Sequence, residues 1–113
     1  MTTFEEIIKR ATTLGIPIAK NEFRKTAKKP VPAPPYLVYL LNEEQRGDDK
    51  RNRIREINGS IELYTDRVPD EVLECQIENE VFFDIEFSKE QSLISSENMV
   101  QTAYDFKIIQ KGR

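Results

Sequence analysis

From Val100 to Ile108 the chain alternates without a break. Val100, Thr102, Tyr104, Phe106 and Ile108 fall on one side, and Gln101, Ala103, Asp105 and Lys107 on the other. Only an extended strand repeats every two residues, so this stretch belongs to a sheet with one apolar and one polar face. A second stretch, Arg53 to Thr65, repeats the pattern, with Ile57, Gly59, Ile61, Leu63 and Thr65 opposite Asn58, Ser60, Glu62 and Tyr64. Ile54 is out of phase, so the middle of this strand is better defined than its start. Gly59 inside an alternating run marks a bulge or a close backbone approach. Strands with one apolar face need a cover, and in a chain of 113 residues that cover is a helix or two in the same domain.

The helices are legible from spacing. Thr3 and Glu6 match a capping box, Phe4, Ile7, Ile8, Ala11 and Leu14 repeat at three and four, and Gly15 with Pro17 stops the run. A second helix starts with Pro69 in its first turn, carries Asp70, Glu71 and Glu74 where the helix dipole favours acid, and shows a stripe of Leu73, Ile77 and Val81 with Val72 beside it. After Phe82 the period changes to alternation, with Phe83, Ile85 and Phe87 opposite Asp84, Glu86 and Ser88, followed by a polar turn over Ser95 to Asn98. Between the first helix and the sheet, the prolines from Pro30 to Pro35 hold the chain extended as a spacer. Tyr36 to Leu41 is apolar on both alternating faces and reads as a central strand covered on both sides, whereas Asn42 to Asn52 is polar and reads as a long loop or hairpin tip. The expected order is α-β-β-α-β-β. That is a single α+β domain over residues 1–113, with a mainly antiparallel four-stranded sheet and two flanking helices.

Composition narrows the chemistry. The chain has no His and one cysteine, Cys75, so imidazole bases, triads and the usual zinc sites have no residues to draw on. Cys75 in the second helix reads as a small buried hydrophobe. The four glycines are isolated, which leaves no phosphate cradle. Asp84 and Glu86 with Lys89 resemble the acid and lysine core of metal-dependent nucleases, but the spacing misses by one residue, so Lys89 points to the other face. Asp48 and Asp49 lack the oxygen-rich spacing of a cation loop. The expectation is a chain that is not an enzyme and takes no cofactor and no metal. No apolar run reaches the length of a membrane span and no leader pattern follows Met1, so a cytoplasmic product is expected.

The net charge of −3 conceals an asymmetry. Lys20 to Arg55 holds ten Lys/Arg against five acids, a net +5, and Asp66 to Glu90 holds nine acids against Arg67 and Lys89, a net −7. Opposite patches on one chain favour a head-to-tail contact between copies, which closes into a ring when the rotation permits. The basic run Lys20, Arg24, Lys25, Lys28 and Lys29, with Phe23 interleaved, is also the place for a nucleic-acid contact or for a DNA- or protein-binding regulator, although the acidic total opposes strong duplex affinity.

Three segments carry a family likeness: Pro34-Pro-Tyr-Leu-Val-Tyr39 with the charged loop after it, Ile61-Glu-Leu-Tyr-Thr-Asp66 before an acidic helix, and Glu97-Asn-Met-Val-Gln-Thr-Ala-Tyr104. Together they resemble the small tail-terminator proteins (tail completion, minor tail or minor capsid proteins) of siphophages and prophages of Gram-positive bacteria, from the Phe4 helix to the last strand. The resemblance implies an α/β fold with a sheet flanked by helices and no enzymatic activity. It implies a hexameric ring that caps the tail tube, ends its polymerisation and joins tail to head. The partners would be other copies of the chain, the tail tube protein and a head-completion or stopper protein, with transient DNA contact in the lumen and no specific readout. The place would be the virion, at the head-to-tail junction, and the host cytoplasm during assembly. A head-closure or connector protein of the same module is the alternative, and a small metal-dependent nuclease a more distant one. Opposite charge nominates Lys20, Arg24, Lys25, Lys28 and Lys29 against Asp70, Glu71, Glu74 and Glu78 as the contact between neighbouring subunits. The polar loop nominates Glu43, Glu44, Arg46, Asp48, Asp49, Lys50 and Arg51 for docking to the tube or head protein.

Overall fold

A computed structural model of the chain describes residues 2–23, 31–46 and 54–111. Helix α1 (Phe4–Thr12) starts where the spacing predicts, since the Thr3 hydroxyl accepts the Glu6 N–H at 3.2 Å. Glu5 and Glu6 lie in its first turn and Lys9 and Arg10 in its last, which suits the helix dipole at both ends. Gly15, with φ +82°, ends it in a conformation open to a residue without a Cβ. Phe4, Ile7 and Ala11 are buried beneath it.

Strand β1 (Ile18–Lys20) follows and pairs parallel with β2 (Tyr36–Arg46), Ile18 opposite Leu37. The remaining pairs are antiparallel: β2 with β3 (Ile54–Asp66), and β3 with the last strand. Between β3 and that last strand lie helix α2 (Glu71–Gln76), a π-helical turn (Ile77–Val81) and strand β4 (Phe87–Ile94), which leads through the turn at Ser95–Asn98 into β5 (Met99–Lys111). The sheet order is β1-β2-β3-β5-β4.

The α+β class therefore stands, but the sheet has five strands and is mixed, where four antiparallel strands were expected. The added strand is three residues long, too short for any periodicity, and joins the sheet through backbone bonds such as the Leu37 N–H to the Pro17 carbonyl at 2.8 Å. A second correction concerns Asn42–Arg46. Read as part of a long loop or hairpin tip, these residues continue β2, with Asn42 opposite Asn58 and Arg46 opposite Ile54. The backbone ladder continues without regard to side-chain polarity where the ribbon runs out into solvent, and Asn42 and Glu43 are exposed.

α2 is capped by Asp70, whose carboxylate accepts the Leu73 N–H at 3.0 Å, so Pro69 sits before the cap and not inside the first turn. Leu73, Ile77 and Val81 are buried as the stripe predicts, while Val72 is 74% exposed. The wider π turn, closed by the Phe82 N–H on the Ile77 carbonyl at 3.2 Å, brings Phe82 onto the same buried side. A third correction follows. Phe83 to Glu86 form a turn and β4 begins only at Phe87, because Arg10 of α1 binds both the Val81 carbonyl (3.1 Å) and Asp84 (2.8 Å) and holds that corner against the helix. Phe83 points outward, with the Arg10 guanidinium 4.3 Å from its ring centre.

Both helices lie on one face of the sheet. Ile57, Ile61, Leu63, Leu37 and Tyr104 are fully buried there against Ile7, Ala11, Ile77 and Val81. Gly59 is the close approach foreseen from the pattern. A Cβ at that position would stand 2.5 Å from the Phe106 ring and 2.9 Å from the Phe4 ring, and the register continues through it without a bulge. Among the described residues no helix lies on the opposite face, although Tyr36 and Val38 there are buried. No described helix is long and apolar enough to cross a membrane.

Candidate assembly surfaces

On the face without helices, three sequence-distant segments meet. Tyr36 of β2 lies opposite Tyr64 of β3, and Tyr64 lies opposite Gln101 of β5. The two tyrosine rings stack at 5.1 Å between centroids, and Phe23, just past β1, meets Tyr36 edge-on at 5.1 Å. The Tyr64 hydroxyl donates to Glu62 at 2.9 Å and accepts from the Gln101 amide at 2.9 Å, while the Tyr36 hydroxyl points at the Met99 sulfur, 4.0 Å away. Burial, followed by the hydrogen bond to the Glu62 carboxylate, pushes the Tyr64 phenol up to about 12. Burial, followed by the charge of Glu97, raises Tyr36 as well. Both phenols stay protonated at neutral pH, so the cluster supplies neither a base nor a nucleophile; the Tyr36 ring is itself buried between Phe23 and Tyr64. Further along the same face, Leu40, Asn42, Asn58, Ser60, Asp105 and Lys107 line an open groove of about 760 Å³. Lys107 there is held by Glu56 at 2.5 Å.

No family model matches the chain, and no curated protein matches it either.

The second surface is the acidic helix, and the structure divides its carboxylates into two sets. Glu74, 5% exposed, and Glu78 turn toward the sheet, where Lys89 of β4 binds both at 2.7 and 2.8 Å. Gln91 donates to Glu74 at 3.2 Å and to the Thr102 hydroxyl at 2.8 Å, and the Tyr104 hydroxyl donates to Glu78 at 3.0 Å. The hydrogen bond from Lys89 holds Glu78 below the usual carboxylate range, and the bonds to Glu74 and Glu78 raise Lys89. Burial, followed by the bond to Glu78, raises Tyr104 strongly. Of the four acids nominated for subunit contact, Glu74 and Glu78 thus already have a cation within the chain, Asp70 caps the helix, and Glu71 is exposed. On the basic side, Lys20 is the exposed end of β1, and Arg24, Lys25, Lys28 and Lys29 lie outside the described residues.

Of the nominated docking loop, Glu43, Glu44 and Arg46 lie at the far end of the β2–β3 ribbon. Glu43 pairs with Arg55 across the ladder's end, and Arg55 also stands 4.0 Å from Glu5 of α1. Glu44 and Arg46 pair through their backbones with Glu56 and Ile54, and Asp48, Asp49, Lys50 and Arg51 lie outside the described residues. The carboxylates considered for a nuclease do not converge. Asp84 is bound by Arg10 and Thr2 at the corner after the π turn and is held down to about 2, chiefly by Arg10, while Lys89 lies across the sheet edge at Glu74 and Glu78. Among the described residues no three His, Cys, Asp or Glu side chains group in a way that could hold a metal ion.

Sequence reasoning missed the Tyr36–Tyr64–Gln101 cluster and the Lys89–Gln91 pair. The signal for the pair was present: Phe87, Lys89, Gln91 and Leu93 alternate in phase, so a lysine and an amide share the face of a core phenylalanine.

Proposed function

We propose that this chain is a structural subunit of a phage tail, a terminator that caps the tail tube, ends its polymerisation and joins tail to head. It acts as a ring of copies, six by the family it resembles, and performs no catalysis. The observation that carries this reading is the convergence on the helix-free face. The three segments on which the resemblance rests are far apart in sequence, yet they lie on adjacent strands, with Tyr36 stacked on Tyr64 and Gln101 bonded to Tyr64. Residues scattered over more than sixty positions thus share one side of the sheet, which supports a reading in which that side meets a partner.

The division of the sheet into faces suits the role. One face is closed by the subunit's own helices, and on the other the half-buried Tyr64 and Gln101 stand beside the buried Tyr36. The described end of the β2–β3 ribbon, braced by Arg55 between Glu43 and Glu5, belongs to the docking arm for the tube protein or the head-completion protein. The subunit would work in the host cytoplasm during assembly and end at the head-to-tail junction of the virion, meeting DNA only in passing through the lumen.

The test is electron microscopy of tail tubes polymerised from their tube protein with and without this chain. The expected result is a density at one end of each tube and tubes that stop growing when the chain is present. Tubes of unchanged length distribution with bare ends would refute the reading.

A further inference from the structure

Among the described residues β1 pairs only with β2 and β4 only with β5, so each edge of the sheet leaves a row of backbone groups without a ladder partner. β4 carries no proline and its register with β5 has no bulge. Ser88 to Leu93 are exposed, the one lysine among them is turned to Glu74 and Glu78, and Leu93 is 64% exposed opposite the buried Val100. An edge so little guarded is a template for another strand. The ladder also fixes the direction of each edge. β1 runs parallel to β2, and three antiparallel steps lead from β2 through β3 and β5 to β4, so β1 and β4 run in opposite directions. Two copies standing side by side with the same end up meet β4 to β1 as an antiparallel pair.

Backbone alternation decides which residues turn their N–H and C=O groups outward. The Leu37 N–H donates to the Pro17 carbonyl at 2.8 Å and the Tyr39 carbonyl accepts the Asn21 N–H at 2.9 Å. Leu37 and Tyr39 thus bond toward β1, and within β1 it is Ile18 and Lys20 that face away from the sheet. Passed across the ladder, the same alternation turns Tyr36 toward β3, Leu63 toward β5, Gln101 toward β4, and Ser92 of β4 inward to β5. The outer row of β4 therefore belongs to Phe87, Lys89, Gln91 and Leu93. Their side chains stand on the helix side, where Phe87 meets the core, and Ile18 and Lys20 stand on that side too, opposite Leu37 and Tyr39. The two edges match in direction and in parity, so one copy continues the sheet of the next with the helices of both on one side. Copies related by a rotation axis need that match, and the contact is head-to-tail.

We infer that β4 of one copy pairs antiparallel with β1 of the next, Leu93 opposite Ile18 and Gln91 opposite Lys20, so that successive sheets join edge to edge. This inference rests on the ring reading above and names its interface. The register sets the exposed Leu93 against an apolar side chain and the Lys20 ammonium against the Gln91 amide, and it places the small Ala19 and Ser92 opposite each other on the other face. A shift of two residues one way would oppose Lys20 to Lys89, and a shift the other way would carry Ile18 past the end of β4 to Ser95.

The full chain tests it by disulfide trapping. Cys75→Ser removes the single native thiol, and Ala19→Cys with Ser92→Cys puts one thiol on each edge, at a pair that an antiparallel ladder holds at a Cα separation of about 4.5 Å. Mild oxidation of the assembled double variant is expected to give covalent oligomers up to the size of the ring on a non-reducing denaturing gel. An equimolar mixture of the two single variants is expected to give covalent dimers, and each single variant alone to give none. Leu93→Pro removes an outward N–H and spares the ladder to β5, so it is expected to keep the far-ultraviolet spectrum and to lose assembly. An assembled double variant that does not cross-link, or Ser92→Cys alone cross-linking as fully as the mixture, overturns this interface and leaves the ring reading standing. A wild-type chain that stays monomeric at every concentration and in the presence of tail tubes overturns the ring reading, and this interface with it.

Discussion

The two faces of the sheet are built from the same strands and held in different ways. On the helix-covered face, Ile57, Ile61 and Leu63 of β3 are fully buried against Ile7 and Ile77, and apolar packing does the holding. On the other face, β3 offers Glu62 and Tyr64, which are ordered by one ring stack and two hydrogen bonds. A single strand thus carries both the groups that close the fold and the groups that present a surface, one residue apart. Stability should be sensitive to the first set and tolerant of changes in the second, while assembly should behave in the opposite way.

The sharpest test of that contrast removes side-chain volume on the covered face. Ile61→Ala is expected to cost about 2–5 kcal/mol in urea unfolding, because the site is closed on all sides and cannot collapse. A loss no larger than that of Tyr64→Phe would break the comparison. Next is the polar network beneath α2, which sits on the covered face but is charged. Lys89→Met leaves Glu74 and Glu78 facing the sheet without their cation and is expected to cost about 1–3 kcal/mol, moderated because Lys89 is itself about a third exposed. If Lys89→Met left stability unchanged, Glu74 and Glu78 would be free for contact between copies.

On the helix-free face, Tyr64→Phe removes the hydroxyl but keeps the stack on Tyr36, and about 0.5–1.5 kcal/mol is expected to be lost. The smallest effect is in pH dependence. The Tyr64 phenol is raised from 10.0 in the unfolded chain to about 12 in the fold, so its contribution is fully present below pH 10 and is lost as pH rises through about 12. Tyr36, Tyr104 and Lys89 are raised too and push the same way, so Glu62→Gln isolates Tyr64. That variant is expected to lower the Tyr64 midpoint in an ultraviolet tyrosinate titration. An unchanged midpoint would remove Glu62 from the account.

Much of the covered face was legible before the structure. Ile57 to Thr65 and Val100 to Ile108 alternate over enough residues that period two has no rival, and Phe4, Ile7 and Ala11 fall on one helical stripe. β1 was not legible, because three residues have no period and their partner is found only in three dimensions. β4 was placed too early, because Phe83, Ile85 and Phe87 alternate by coincidence while Arg10 pins the corner at Asp84. The surfaces were legible only in part. Counting charge along the chain found the acidic segment, but it counted Lys89 as one cation among nine acids, when its position opposite α2 decides which two of them face inward. The stack of Tyr36 on Tyr64 depends on the β2–β3 register, which neither segment carries alone.

The most direct test of the central claim is the solution mass of the full chain by light scattering, measured alone and after addition of preformed tail tubes, with the tube-bound fraction recovered and released. The account predicts a closed species of six times 13.2 kDa, either free or released from tube ends. A mass of 13.2 kDa in both conditions, with no chain recovered on the tubes, would contradict it.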